Sequence, residues 1–209
     1  MALLLVGSDL HGSDEALALL RKAEKEMRPD VVVICGDFTT YGSADFMERL
    51  LENFESELLA VPGNCDTDEM LSMLEEAGGS VHGRRVRKAG VDFFGFGGGM
   101  PTSMNMPFEV EEDEMVSSLR SVAVRGGVMV THTPPKGVND LTASGRSLGS
   151  EGLMDVVREF APRLVLSGHV HEAVGSCDKD GTLFVNPGTA RGGRYATVEL
   201  GQTASARLF

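Results

Sequence analysis

The 209-residue chain has no long hydrophobic run. Its longest apolar stretches, residues 2–6 and 31–35, are far shorter than the about 20 residues that a membrane-spanning helix needs. The N-terminus also lacks a basic region followed by a small-residue cleavage pattern, which a secretory signal would show. We therefore expect a protein that stays in the cytoplasm and does not insert into a membrane.

Cysteine and positive charge are also scarce. Cys35, Cys65 and Cys177 are scattered without a CxxC pair, which argues against both a disulfide framework and a thiolate zinc site, and free thiols fit the cytoplasm. With 19 Lys and Arg against 31 Asp and Glu, the net charge is −12. A nucleic-acid partner would need a basic face, so none is expected. Acidity by itself indicates only a well-solvated surface.

No Pro/Ser-rich linker, low-complexity segment or internal repeat interrupts the chain, and its length suffices for a well-buried core. We therefore expect one domain over residues 1–209.

Short apolar runs alternate with amphipathic segments, a pattern typical of an α/β fold with a parallel sheet. Ser13 is the expected N-cap of the first helix. Residues 84–96 predict a hairpin that turns at Ala89 and Gly90. The tail, residues 173–209, predicts a meander of strands with a turn at 178–181. The remaining expected elements are strands at 2–7, 31–35, 57–61, 127–131 and 163–167 and helices at 43–54, 67–77, 112–124 and 151–160.

Five polar clusters follow the expected strands, and four of the five histidines fall in them. The carboxyl ends of parallel strands converge on one crevice, where α/β proteins bind ligands. His169 and His171, separated by one residue, would share one face of an extended segment. The candidate site residues in these clusters are Asp9, His11, Asp37, Asn64, His132, His169 and His171.

Carboxylates, imidazoles and an amide oxygen without thiolate suit divalent Mn, Fe, Zn, Ni or Co, and there are too many ligands for one tetrahedral ion. Two ions fit better, because a shared carboxylate can bridge them and a bridging hydroxide can attack phosphorus in line. Gly36, Gly63 and Gly168 would let the backbone turn sharply beside the ligands.

Some of these residues also have possible structural roles that involve no metal ion. Asp9 and Asp37 each lie shortly before a helix and could be N-caps, and Asn64 could shape the turn after Pro62. His82 fits a hydrogen-bonded structural histidine.

Other segments carry weaker signals. The GFGGGM stretch fails the GxGxxG pattern and has no helix directly after it, which favours a loop. Met100, Met104 and Met106 suit loop packing, a substrate cleft or a subunit contact. The basic residues 84–88 fit a solvated edge strand. Whether an arginine in a glycine-rich loop reaches substrate is left open, the candidates being Arg146, Arg191 and Arg194.

The ordered motifs Asp-x-His, Gly-Asp, Gly-Asn-x-Asp, Thr-His and Gly-His-x-His, over residues 7–171, resemble those of the calcineurin-like metallophosphoesterase superfamily. The NPGT stretch from Asn186 and the HTPPKGVND stretch are similar to its small archaeal and bacterial phosphodiesterase branch. The resemblance implies a four-layer α-β-β-α sandwich, with helices outside two facing mixed sheets.

The resemblance also implies two divalent ions, manganese first, with iron, nickel, cobalt or zinc as alternatives, and a small-molecule phosphoester substrate. A homo-oligomer is left open. The implied ligands of one ion are Asp9, His11, Asp37 and His171, and those of the other are Asp37, Asn64, His132 and His169. Asp37 would bridge the two.

One position departs from most of the superfamily. Cys65 stands where a histidine, held by the following Asp66, usually assists the leaving group, although the small phosphodiesterase branch shares the cysteine. A thiol, with an unperturbed pKa of about 8.5, is a poor substitute for an imidazolium as a proton donor or as a cation. The catalytic residues implied by the resemblance are Asp37, Asn64, His132, Asp66 and Cys65.

The sequence thus predicts a phosphodiesterase. A phosphomonoesterase or diphosphate hydrolase would use the same ions. A protein-binding scaffold on this fold, as in the retromer subunit that resembles this branch, would have a degraded histidine set, whereas His11, His132, His169 and His171 are all present.

Overall fold

A computed structural model describes residues 1–209 and contains two β-sheets and five α-helices. The helices are α1 (Asp14–Met27), α2 (Ala44–Glu52), α3 (Asp68–Glu76), α4 (Glu112–Val122) and α5 (Glu151–Phe160). The strands are β1 (Ala2–Gly7), β2 (Val31–Ile34), β3 (Glu57–Ala60), β4 (Arg84–Lys88), β5 (Val91–Phe96), β6 (Val128–Thr131), β7 (Leu164–Leu166), β8 (Gly175–Lys179), β9 (Thr182–Asn186), β10 (Ala196–Leu200) and β11 (Ala204–Leu208).

The two sheets are both mixed. The first has the order β11-β10-β1-β2-β3, with β1, β2 and β3 parallel and β10 antiparallel to β1. The second has the order β4-β5-β6-β7-β9-β8, with a parallel centre from β5 to β9 and an antiparallel strand at each edge.

Alternation of side chains along each strand builds the layers. In β1, Leu4 and Val6 belong to the core between the sheets, whereas Leu5 belongs to the core beneath α1, α2 and α3. The second sheet packs its other face, including Phe94 and Met129, against α4 and α5. Three apolar cores therefore separate four layers, and the expected α-β-β-α sandwich is confirmed.

The local elements agree with the sequence patterns. The Ser13 side chain accepts a hydrogen bond from the Ala16 N–H and caps α1 as expected. The hairpin from β4 to β5 turns at Ala89 and Gly90, both with positive φ. No helix is long and apolar enough to cross a bilayer.

The tail is not the expected meander. Strands β8 and β9 turn at Asp180 and Gly181 as predicted, but they belong to the second sheet, where β9 pairs parallel to β7. Strands β10 and β11 then cross to the first sheet. The tail alternates like any antiparallel segment, and alternation alone does not say which sheet a strand joins.

Candidate metal centre

Five loops at the carboxyl ends of β1, β2, β3, β6 and β7 converge on one site between the two sheets. They bring together all seven candidate ligands predicted from the sequence. Six of the seven are buried or nearly so, and His171, at the rim, has 43% of its side chain exposed.

The first group of ligand atoms surrounds Nε2 of His171. This nitrogen lies 3.1 Å from Asp9 Oδ1 and 3.2 Å from His11 Nε2. His11 Nε2 in turn lies 3.7 Å from Asp37 Oδ2 and 3.9 Å from Asp9 Oδ1. The four side chains are those assigned to one ion from the sequence.

The second group surrounds Nε2 of His132, which is fully buried. This nitrogen lies 3.0 Å from Asn64 Oδ1, 3.2 Å from His169 Nδ1 and 3.5 Å from Asp37 Oδ1. Asp37 directs one carboxylate oxygen toward each group, so its position is that expected of a bridging ligand.

These spacings fit metal coordination. Two ligand atoms of one ion lie about 3.0 to 3.4 Å apart when each bond is about 2.1 Å long and the angle between the bonds is about 90° to 109°. The distances around His171 and His132 lie mainly in this range. The lone pair on Nε2 of a neutral His132 would face two oxygen acceptors, Asn64 Oδ1 and Asp37 Oδ1, and a cation between these atoms would stabilise them.

Hydrogen bonds behind the imidazoles select their tautomers. Nδ1 of His132 lies 2.7 Å from the carbonyl oxygen of Cys35, so Nδ1 carries the proton and Nε2 keeps its lone pair. Nδ1 of His11 lies 3.3 Å from the Thr40 hydroxyl. Partners of this kind orient metal-binding histidines in proteins.

Burial and the neighbouring carboxylates change the pKa values of the imidazoles in different directions. Burial opposes protonation of His132, but the charges of Asp37 and Asp9 outweigh it and raise the His132 pKa. The hydrogen bond to Asp9 likewise raises the pKa of His171. Burial and the neighbouring His132 lower the pKa of His169 to about 4, which favours the neutral ring that a metal ion requires.

The backbone turns sharply at the ligands. Asp9, His11, Asp37 and His169 all have φ between 49° and 67°. Left-handed conformations cost a non-glycine residue free energy and cluster at functional sites. Their occurrence at four of the seven candidate ligands indicates a functional constraint on these loops. Neither Asp9 nor Asp37 is a helix N-cap, because Ser13 and Ser43 hold those positions.

The three flanking glycines have different reasons to be glycine. Gly36 has a φ of 86°, the sharp turn expected from the sequence. Gly63 and Gly168 do not have positive φ, so a left-handed conformation is not the reason for glycine there. A Cβ at Gly63 would lie 2.1 Å from Asp37 Oδ1, and one at Gly168 would lie 1.8 Å from Ser8 Oγ. At these two positions close approach of the loops leaves no room for a side chain.

Asp66 lies behind the ligands and does not hold residue 65. Its carboxylate is fully buried and accepts hydrogen bonds from the backbone N–H groups of Phe38, Thr39 and Gly63. Burial and the charge of Asp37 raise its pKa to about 7. The structure therefore gives Asp66 the role of joining the two ligand loops.

Two clefts border the candidate centre and share His11, Cys65 and His171. The large cleft has a volume of 790 Å³ and lies between residues 99–109 and residues 142–148. The small cleft has a volume of 480 Å³ and is also lined by Thr189 and Arg191. Cys65 thus lines both clefts beside two of the candidate ligands. Burial and Asp37 raise the pKa of its thiol, which stays protonated.

The sequence does not show which of the three arginines in glycine-rich loops reaches substrate, and their positions in the structure differ. Arg146 lines the large cleft, Arg191 lines the small cleft, and Arg194 lines neither. Met100, Met104 and Met106 all line the large cleft. The carbonyl of Cys35 behind His132 could not be anticipated, because any residue type supplies it.

Comparison with known proteins agrees with this geometry. A family model described as calcineurin-like phosphoesterase matches residues 3–173, a range that contains all seven candidate ligands and ends before β8. An uncharacterized protein of Methanocaldococcus jannaschii is 34% identical over 194 residues, which cover 86% of this chain and 85% of that protein.

A sequence relative and a solved structure are also similar to this chain. A probable cyclic nucleotide phosphodiesterase of Synechococcus is 26% identical over 161 residues, covering 71% of this chain and 60% of that protein. The solved structure of an archaeal phosphodiesterase superposes with a TM-score of 0.60 at 14% identity and covers 99% of both chains, which shows a shared fold.

Proposed function

The chain belongs to the calcineurin-like phosphoesterase family, and from this premise we propose that it is a phosphodiesterase that uses two divalent metal ions, with manganese as the first choice. The observation that carries the proposal is the pair of ligand groups joined by Asp37. One carboxylate oxygen faces His11 and the other faces His132, at 3.7 Å and 3.5 Å. The family implies divalent ions, and this donor set fits them.

The proposed ligands of one ion are Asp9, His11, Asp37 and His171, and those of the other are Asp37, Asn64, His132 and His169. Two ions so held would supply Lewis acidity at the phosphoryl oxygens and would lower the pKa of a water molecule that acts as the nucleophile.

The chain itself supplies orientation and a neutral environment for the leaving group. The backbone N–H of Cys65 donates to Asp37 Oδ1 at 2.8 Å and fixes the shared carboxylate. The protonated Cys65 thiol carries no positive charge, so it stabilises a departing alkoxide poorly. This favours substrates whose leaving oxygen departs with little protonation.

The two clefts support a diester over a monoester. Phosphorus in a diester carries two organic groups, and the two clefts that meet at His11, Cys65 and His171 offer a place for each. The similar Synechococcus protein is a probable cyclic nucleotide phosphodiesterase, and the archaeal protein of similar fold is a phosphodiesterase. The substrate in this proposal is a small molecule, since the chain has a net charge of −12.

The test combines metal analysis with a substrate panel. We expect two ions per chain in protein reconstituted with manganese, and faster hydrolysis of aryl phosphodiesters than of the matching monoesters. Asp37→Asn and His132→Ala should lower turnover by orders of magnitude while circular dichroism shows a folded chain. His82→Gln serves as the control, because His82 contacts Phe96 and the Gly97 N–H outside the centre.

Binding of a single ion at saturation would refute the dinuclear assignment. Near-native activity in Asp37→Asn would refute the bridging role. Faster hydrolysis of monoesters than of diesters with each metal would show that the protein is a phosphomonoesterase.

A further inference from the structure

We propose that Arg146 binds a second anionic group on the substrate, carried by the organic substituent that occupies the large cleft. The inference rests on the proposed phosphodiesterase function and names its substrate class: a phosphodiester with an apolar or aromatic substituent that bears an additional carboxylate or phosphate.

The large cleft has two walls of different character. One wall is the loop that carries Met100, Met104 and Met106, whose flexible thioether side chains adapt to apolar or aromatic surfaces. The other wall is the segment from Thr142 to Leu148, which presents Arg146. The candidate centre lies at the floor between them, so a substituent of bound substrate would extend between methionines and a guanidinium.

Arg146 is the only lysine or arginine among the residues that line this cleft. It takes part in none of the ion pairs of the chain, so its charge is not neutralised by a carboxylate. Glu109 on the opposite wall is already held, since its Oε1 accepts hydrogen bonds from the backbone N–H and the hydroxyl of Thr102 at 2.9 Å and 2.7 Å. Arg146 is thus available to an anion that enters the cleft.

The segment that carries Arg146 is held in place. The Thr142 hydroxyl accepts a hydrogen bond from the Arg146 N–H at 3.1 Å, and the Thr142 N–H donates to the Arg146 carbonyl at 2.9 Å. Beneath this turn, the buried Asp140 accepts a hydrogen bond from the Gly137 N–H and a short one from the Ser147 hydroxyl.

A second tie joins this segment to the candidate centre. Glu172, the residue after His171, accepts a hydrogen bond from the Ala143 N–H at 2.8 Å. The position of the Arg146 backbone is therefore fixed relative to a proposed metal ligand. An arginine on a fixed backbone loses less entropy on binding an anion than one on a free loop, which suits Arg146 to selecting substrates by charge.

The test uses two diesters that differ by one charge. The two substrates are benzyl p-nitrophenyl phosphate and 4-carboxybenzyl p-nitrophenyl phosphate, and both undergo the same hydrolysis. The oxygen of water bonds to phosphorus, the P–O bond to the nitrophenyl group breaks and p-nitrophenolate leaves, so that the benzyl or 4-carboxybenzyl monoester remains. We expect the wild-type protein to have the higher kcat/KM for the carboxylate substrate. Arg146→Gln should lower that kcat/KM by about tenfold, as loss of a charged hydrogen bond does, and change the value for the benzyl substrate less than twofold.

Arg125→Gln is the matched control. It removes the same charge, but Arg125 lies just before β6, whereas the candidate centre lies at the opposite end of that strand. This variant should treat both substrates as the wild-type protein does. Equal selectivity in wild type and Arg146→Gln, with the benzyl diester still hydrolysed, would overturn the role of Arg146 and leave the proposed function intact.

A binding measurement separates this inference from the reaction. Calorimetry with manganese-loaded protein should show tighter binding of 4-carboxybenzylphosphonate than of benzylphosphonate, and Arg146→Gln should remove the difference. That result would support the anion site even if neither diester were hydrolysed, in which case the proposed function fails alone. Equal affinity of the wild-type protein for both phosphonates would overturn the inference.

Discussion

Substitution of Gly63 by alanine should disable the candidate centre although it replaces none of the seven candidate ligands. The added Cβ would lie 2.1 Å from Asp37 Oδ1 and 2.2 Å from the Asp37 backbone nitrogen. Ordinary contact needs about 3.4 Å, so the two loops must separate by about 1 Å, whereas metal–ligand distances tolerate about 0.2 Å. A shift of about 1 Å in a catalytic group costs about a hundredfold in rate.

We expect Gly63→Ala to lose at least one of two bound manganese ions, measured by elemental analysis, and to lower the rate of aryl diester hydrolysis about a hundredfold. Overpacking of this kind also destabilises a fold by about 1 to 3 kcal/mol, which urea unfolding would measure.

Gly201→Ala is the matched control, because a Cβ there meets nothing closer than 3.8 Å and Gly201 lies in the turn between β10 and β11. That variant should keep native metal content, rate and stability. If Gly63→Ala bound two ions with native affinity and turned over at the native rate, close approach would not be the reason for glycine at this position.

Two further predictions concern Cys65 and His82. Cys65→His should make the rate of diester hydrolysis less dependent on the pKa of the leaving group, because an imidazolium can protonate the departing oxygen. The rates are measured for a series of substituted phenyl diesters and plotted against leaving-group pKa. Equal slopes for the wild-type protein and the variant would show that Cys65 has no part in the mechanism. Burial lowers the pKa of His82 to about 4, below the unfolded value of about 6.5. Between these two pH values the unfolded chain binds a proton at this histidine and the folded chain does not. The free energy of unfolding therefore falls as the pH falls from about 6.5 to about 4. His82→Gln should reduce that loss by up to about 3 kcal/mol in urea unfolding at pH 7 and pH 4.5, and parallel pH profiles for the two proteins would contradict it.

Much of the candidate site could be predicted because each ligand follows a strand in sequence. Asp9, Asp37 and Asn64 come after consecutive parallel strands of one sheet, and His132 and His169 after consecutive parallel strands of the other. In a parallel arrangement, residues that follow strands meet at one edge, whatever the distance between them along the chain. The order of the strands along the chain and their parallel direction therefore suffice to predict that the candidate ligands lie close together.

Other features depend on contacts that no local pattern records. The role of Asp66 follows from three backbone N–H groups that converge on it, and every residue type except proline offers such a group. The tail crosses from the second sheet to the first: β9 pairs parallel to β7 in the second sheet, and β10 pairs antiparallel to β1 in the first. This crossing depends on which strand of each sheet is open to pairing, a tertiary property. Neither outcome changes the composition or periodicity of the segment concerned.

The opposite fates of Cys35 and Cys65 show why residue type alone did not decide the chemistry of this site. Cys35 contributes its backbone carbonyl, which fixes the tautomer of His132, and its buried side chain belongs to the core between the sheets. Cys65 contributes a backbone N–H to Asp37 and places its side chain in both clefts. The main chain of each cysteine therefore orients a proposed metal ligand, a task that another residue could perform. Only at position 65 does the side chain also meet the space for substrate, so only there does a thiol in place of an imidazole bear on which phosphoesters are hydrolysed.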